Sequence, residues 1–195
     1  ADVLLGLSGG VDSAVVAVLA QRAFRDTHLA LLMPIQSEPR DVADARLLAE
    51  QLRLNAKEIS LDPVYEVFAR VLGTTPEPGE QPDLPLANLK ARLRMNTLYY
   101  YANRFRYLVV GTANRSELTL GYFTKYGDSG ADIYPIGNIY KSDLYPIAEH
   151  LGVPRRVIEK PPSAGLWEGQ TDEGEIGMAY DELDGILKAL EVGEE

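Results

Sequence analysis

Five short apolar runs punctuate this chain, separated by stretches with helical spacing. Asp2–Ser8 reads as a buried strand, ending in glycine and serine. Leu29–Met33 is a second run, stopped by Pro34; Ala56–Leu61 is a weaker third, Tyr107–Gly111 a fourth and Ile133–Ile136 a short fifth. Between the runs the period changes. Asp12–Phe24 carries alanine, valine and leucine over most of its surface, and Val42, Ala45, Leu48, Ala49 and Leu52 form one stripe over Arg40–Leu52. Asp62-Pro63 reads as a helix start for Val64–Leu72, because proline suits the first turn. Leu86–Arg104 predicts a long helix, another begins at Arg115, and Lys141–Leu151 ends at Gly152 with Pro154 just after. Met178–Leu190 predicts a closing amphipathic helix, while Gly121–Gly130 reads as irregular. Gly73–Pro85 is proline-rich and without period, the signature of a functional or disordered loop.

Strands that are apolar throughout and alternate with helices predict a parallel sheet covered on both faces. The expected fold is α/β: a three-layer sandwich with a doubly wound, mostly parallel five-stranded sheet, in one domain spanning residues 1–195. Ligands in such sheets bind at the carboxyl ends of the strands.

Composition narrows the function classes. The 195 residues are 46% hydrophobic and 25% charged, values of an ordinary globular chain. No run approaches the roughly 18 apolar residues that span a bilayer, and no export leader precedes the first strand, so a cytoplasmic protein without membrane contact is expected. Cysteine is absent, which removes disulfides, thiolate metal sites and a cysteine nucleophile. Most of the formal charge of −10 sits after Pro161, where Lys188 is the only base. The rest is nearly neutral, which argues against a nucleic-acid surface.

The first strand hands over to its helix through Ser8-Gly9-Gly10-Val11-Asp12-Ser13. Glycines let backbone approach a ligand closely, the following helix offers free N–H groups, and the serines add hydroxyl donors: together an anion cradle. On the glycines alone, a plain strand-to-helix turn capped by Ser8 or Asp12 fits equally well. Asp12 shifts the reading, because a carboxylate beside bound phosphates requires a divalent cation between them. It also stands where a Walker loop would carry lysine, so the turn is not a P-loop.

SGGVDS resembles the pyrophosphate loop of the ATP pyrophosphatases, which cleave ATP to AMP and pyrophosphate. Within that superfamily, "NLKARLRM" (88–95), "GTANRSE" (111–117), "GYFTKYGDSGADIYPIGNIYK" (121–141) and "KPPSAGLWEGQTDE" (160–173) look like NAD synthetase, in order and spacing, from Gly6 to about Leu190. The resemblance implies a ligase that makes NAD from deamido-NAD, ATP and ammonia through an adenylylated nicotinate carboxylate. It implies an ATP site of Gly6, Leu7, Ser8, Gly9, Gly10, Val11, Asp12, Ser13, Met33, Thr112, Lys141 and Ser163. Asp12 and Glu117 would hold Mg²⁺, and Asp12, Glu117 and Lys141 would carry the catalysis. Arg92, Lys125 and Asp132 match positions that bind deamido-NAD. NAD synthetases are homodimers, and Tyr99, Tyr100 and Tyr101 on the long helix offer more aromatic surface than one core-facing stripe needs. Tyr122 and Phe123 are placed to stack on a ring, or equally to fill core. A glutamine-using version would need a cysteine nucleophile, so free ammonia is the expected nitrogen donor. Such proteins usually carry a helix before the first strand and a basic C-terminal segment near deamido-NAD, which this stretch of sequence does not include.

Without the resemblance, several residues read more plainly: Glu117 as a surface glutamate, Thr112 as a helix cap, Lys141 as a solvated helix-start lysine, and Arg92 as part of the basic run Lys90, Arg92, Arg94. Alternative functions are another amide- or thio-transferring ATP pyrophosphatase, or a non-catalytic nucleotide-binding module.

Overall fold

The computed structural model describes residues 2–74, 83–167 and 169–193. Its sheet has four parallel strands: β1 (Asp2–Gly6), β2 (His28–Leu32), β3 (Ala56–Glu58) and β4 (Tyr107–Val110), in the order β3-β2-β1-β4. Alternate side chains of β1 feed two cores. Val3 and Leu5 pack with α1 (Val11–Phe24), α2 (Pro39–Gln51) and α6 (Lys141–Leu151) on one face. Leu4 packs with α3 (Asp62–Val71) and α4 (Leu84–Phe105) on the other. Burial on both faces is why these strands read as unbroken apolar runs rather than alternating ones.

The remaining helices are α5 (Arg115–Leu120), α7 (Arg155–Ile158), α8 (Asp172–Ile176) and α9 (Tyr180–Glu191). The expected three-layer α/β architecture is observed, with one correction. Among the described residues the sheet has four strands, not five, because Ile133 makes only an isolated parallel bridge to Val110. Pro135 cannot donate a ladder hydrogen bond, and the Asp132 carboxylate takes the Val109 N–H at 2.8 Å, so a side chain occupies an edge that a fifth strand would extend. Of the proline-rich segment, residues 75–82 lie outside the described residues. Pro85 belongs to the first turn of α4, whose N-terminus is capped by Asp83 accepting from Leu86 N.

The chain adds β2 and β3 on one side of β1, then returns to place β4 on the other. This reversal puts a topological switch point at the carboxyl ends of β1 and β4. The SGGVDS turn leaves β1 there, and Gly111-Thr112 leaves β4 beside it. Gly9 sits at φ +86°, and a Cβ on it would lie 2.6 Å from the Asp41 carbonyl oxygen. Only glycine lets α2 pack this closely against the turn.

Candidate active site

A cavity of about 430 Å³ opens at the switch point. Its walls include Gly6, Leu7, Ser8, Gly10, Val11, Asp12, Ser13, Met33, Thr112, Glu117, Lys141 and Ser163, all residues expected from the sequence to meet ATP or its metal. Gly9 stands behind this lining, against α2. The serines shape the turn itself: Ser13 Oγ donates to Gly10 O (3.0 Å) and accepts from Ser8 N (3.2 Å), while Ser8 Oγ accepts from Gly10 N (3.2 Å). Among the described residues no side chain caps the N-terminus of α1, so the first N–H groups of the helix and its positive dipole end face the cavity.

Three elements bring charge to this point. Asp12 comes from α1, Glu117 from α5 and Lys141 from the start of α6. Lys141 is buried, 2% exposed, and its ammonium pairs with Asp12. Asn114 ties the carboxylates together. Its Nδ2 donates to Asp12 Oδ1 (2.9 Å), its N donates to Glu117 Oε2 (3.0 Å), and its Oδ1 accepts from Glu117 N (3.0 Å). The last two bonds are a capping box for α5, written in the sequence as Asn-Arg-Ser-Glu. The same cap thus aims Glu117 into the cavity beside Asp12.

A further carboxylate, Asp172 of α8, lines the cavity and is buried. It accepts from Tyr122 OH (3.2 Å) and from Tyr180 OH (3.3 Å). The Tyr180 ring lies 5.4 Å from the Lys141 ammonium. One lysine therefore faces three acids. Burial and the neighbouring Asp12 push Glu117 up to about 8, with Lys141 opposing. Burial likewise raises Asp172. Burial alone would lower Lys141, but Asp12 and Glu117 outweigh it and hold the ammonium above its ordinary range.

An excess of oxygen anions beside an N–H cradle is the donor chemistry of a hard divalent cation shared with phosphate. Among the described residues there is no cluster of three or more acidic, His or Cys side chains that would cage a metal by itself. Two carboxylates completed by phosphate oxygens and water suit Mg²⁺, which keeps part of its own shell.

The structure separates the other three expected residues from this cavity. Arg92, Lys125 and Asp132 are not in its walls. Arg92 Nε donates to Lys125 O (3.3 Å), which places these two side by side. Asp132 has a structural task, accepting from Tyr99 OH (3.0 Å) and Val109 N (2.8 Å). Tyr122 reaches Asp172 and Glu175 through its hydroxyl, and Phe123 is partly exposed on the cavity wall.

Sequence reasoning missed Asn114, Arg94, Asp128, Asp172 and Tyr180. The capping-box spacing would have found Asn114. Arg94 lines the cavity and donates to Met33 O (3.1 Å), engaging the backbone expected to meet adenine. Asp128 lines it too, its carboxylate held by Thr124 N (2.8 Å). Their spacing gave no signal. Among the described residues no helix is long and apolar enough to cross a membrane.

Comparison with known proteins agrees with this geometry. The sequence model of the NAD synthase family matches residues 1–195. The NH₃-dependent NAD⁺ synthetase of Carboxydothermus hydrogenoformans is 52% identical over 94% of this chain and 75% of that protein. Its namesake from Archaeoglobus fulgidus is 51% identical over 98% of this chain and 76% of its own length. Among solved structures, an NMN synthetase from Francisella tularensis superposes with a TM-score of 0.88 at 40% identity, covering 100% of this chain and 78% of that one. An NH₃-dependent NAD synthetase from Campylobacter jejuni, in complex with nitrate, gives 0.79 at 38% identity, over 98% and 74%. With a family match along its whole length and a strand-end cavity that gathers the SGGVDS turn, Glu117 and Lys141, this chain belongs to the NAD synthase family.

Proposed function

We propose that residues 1–195 act as one ATP-pyrophosphatase-type domain that makes NAD from deamido-NAD, ATP and ammonia. The observation that supports this best is the convergence of Asp12, Glu117 and Lys141 on an N–H cradle at the switch point. The nicotinate carboxylate attacks the α-phosphorus of ATP, pyrophosphate leaves, and ammonia then displaces AMP from the acyl carbon. The SGGVDS amides and the N-terminus of α1 hold the departing pyrophosphate. Lys141 offsets charge that builds on the phosphates. Asp12 and Glu117 would hold Mg²⁺, which supplies Lewis-acid polarisation and neutralises the triphosphate. Thr112 and Ser163 add hydroxyl donors to the nucleotide, and Met33 borders its base. Arg92, Lys125 and Asp132, outside the ATP cavity, receive the deamido-NAD.

The assay is direct. With MgATP, ammonium and deamido-NAD, the protein is expected to yield NAD, AMP and pyrophosphate in equal amounts; ADP and phosphate would contradict adenylylation. The similarity to the Francisella tularensis NMN synthetase favours a second acceptor, nicotinate mononucleotide. A higher kcat/KM on the mononucleotide in the same assay would establish that reading instead.

We further infer a homodimer in the cytoplasm. Support comes from α3 and α4, which expose Val67, Phe68, Val71 and Tyr100 at 56%, 44%, 80% and 59%. Sedimentation at assay concentration is expected to give a dimer; a fully active monomer would refute it.

A further inference from the structure

Helix α9 takes no part in the cavity wall, yet it carries two side chains, Tyr180 and Asp184, four residues apart on one face. Both bear on Lys141. Tyr180 sets its ring 5.4 Å from the ammonium. Asp184 acts at the backbone end, on Ser142 N directly and on Lys141 N through the Ser116 hydroxyl. Asp184 is 1% exposed. Its Oδ2 accepts from Ser142 N at 2.8 Å, and its Oδ1 accepts from Ser116 Oγ at 2.5 Å. Ser116, fully buried, in turn accepts from Lys141 N at 3.0 Å.

The first two N–H groups of α6 are thus held by one carboxylate, directly and through one hydroxyl. Among the described residues no local side chain caps this helix. Its cap comes instead from α9, some forty positions further along the chain. A helix start needs only a serine or asparagine at its own cap position for stability. A buried carboxylate is a costlier choice, because it must be desolvated. What it adds is a tie between the two helices of the site. Ser116 precedes Glu117 on α5, and Ser142 follows Lys141 on α6, so the bonds of Asp184 bracket both residues.

We propose that Asp184 is a positioning residue for adenylylation: through Ser116 and the α6 backbone it sets the Lys141 ammonium against the phosphates and keeps α5, with Glu117, in register with α6. This rests on the reading that Lys141 meets the phosphates of ATP.

Asp184→Asn, Ser116→Ala and the double variant test it, assayed well below their melting temperatures with MgATP, ammonium and deamido-NAD. Misplacing a catalytic group by a fraction of an ångström to one ångström costs on the order of tenfold to a hundredfold. Each single variant is expected to lose about tenfold or more in kcat, with KM for deamido-NAD within twofold. The double variant is expected to be no worse than the weaker single, because both changes break one chain of bonds. A purely structural role lowers the melting temperature but leaves kcat per folded site unchanged. Wild-type kcat in the folded single variants overturns the proposal, as does multiplication of the two losses. If Asp184→Asn does not fold, Ser116→Ala decides on the same kcat criterion. Lys141→Met with undiminished turnover would overturn the underlying reading instead, a result distinct from either of those.

Discussion

Replacing Lys141 with methionine is expected to cost both turnover and stability, and Mg²⁺ is expected to return part of the stability alone. Methionine keeps much of the length of lysine and removes the charge. Lys141 is 2% exposed and faces Asp12, Glu117 and Asp172. Breaking a buried pair by removing one partner costs about 3–5 kcal/mol, because the remaining charge stays desolvated. Asp12 keeps 17% of its side chain accessible, which places the expected loss near ~3 kcal/mol. In a chain of this size that lowers the melting temperature by roughly 6–12 °C. A divalent cation held by Asp12 and Glu117 would supply the missing positive charge, so added Mg²⁺ should raise the melting temperature of the variant more than that of the parent. Turnover should nevertheless fall by about a hundredfold or more, the loss typical of removing one preorganised donor to developing charge. Thermal melts with Mg²⁺ and with chelator, read beside the NAD assay, check both halves. Equal melting of the two proteins under both conditions would show that the acids do not depend on Lys141.

Much of the lining of the strand-end cavity was legible in the sequence, for physical reasons that also mark where legibility stops. Buried parallel strands are runs of apolar residues, so β1, β2 and β4 stood out, while their order and the switch point it creates exist only in the assembled sheet. The SGGVDS turn announced itself because glycine, serine and aspartate together have few other uses at a strand end. The fifth strand misled because Ile133–Ile136 has strand composition, while the Asp132 side chain claims the Val109 N–H beside it. Asp172, Tyr180 and Asp184 were invisible for a different reason. They belong to the acidic end of the chain, where a run of carboxylates reads as a solvated face. Their partners lie far away: Ser116 and Asp184 are 68 positions apart, a separation no periodicity reports. Glu117 is intermediate. The capping box readable in Asn-Arg-Ser-Glu accounts for its place at the start of α5, but its neighbourhood of Asp12 and Lys141 exists only once the strands are assembled.

That neighbourhood gives Glu117 the second large effect: Glu117→Gln is expected to stabilise the metal-free protein in base while removing most of its activity. Burial first, and Asp12 second, push the Glu117 carboxyl up to about 8 from an ordinary 4.5. The folded state therefore holds this proton more tightly than the unfolded chain does. The stability linked to it is complete below about pH 4.5 and is lost as pH rises through about 8. Above that, the native protein must carry an ionised Glu117 beside Asp12. Glutamine is neutral at every pH and still offers an oxygen to the Asn114 N–H that Glu117 accepts at 3.0 Å. With chelator present, the variant and the parent should melt together near pH 4. At pH 9 the variant should melt higher by roughly 2–8 °C, the shift that about 1–2 kcal/mol produces in a chain of this length. The same substitution takes away one of the two carboxylates proposed to hold Mg²⁺, so turnover should fall about a hundredfold. A site arranged for a cation thus carries repulsion that the cation relieves, and stability and activity move in opposite directions when the charge is removed. Melting curves of the two proteins that coincide at both pH values would show that Glu117 carries no such charge in the metal-free state.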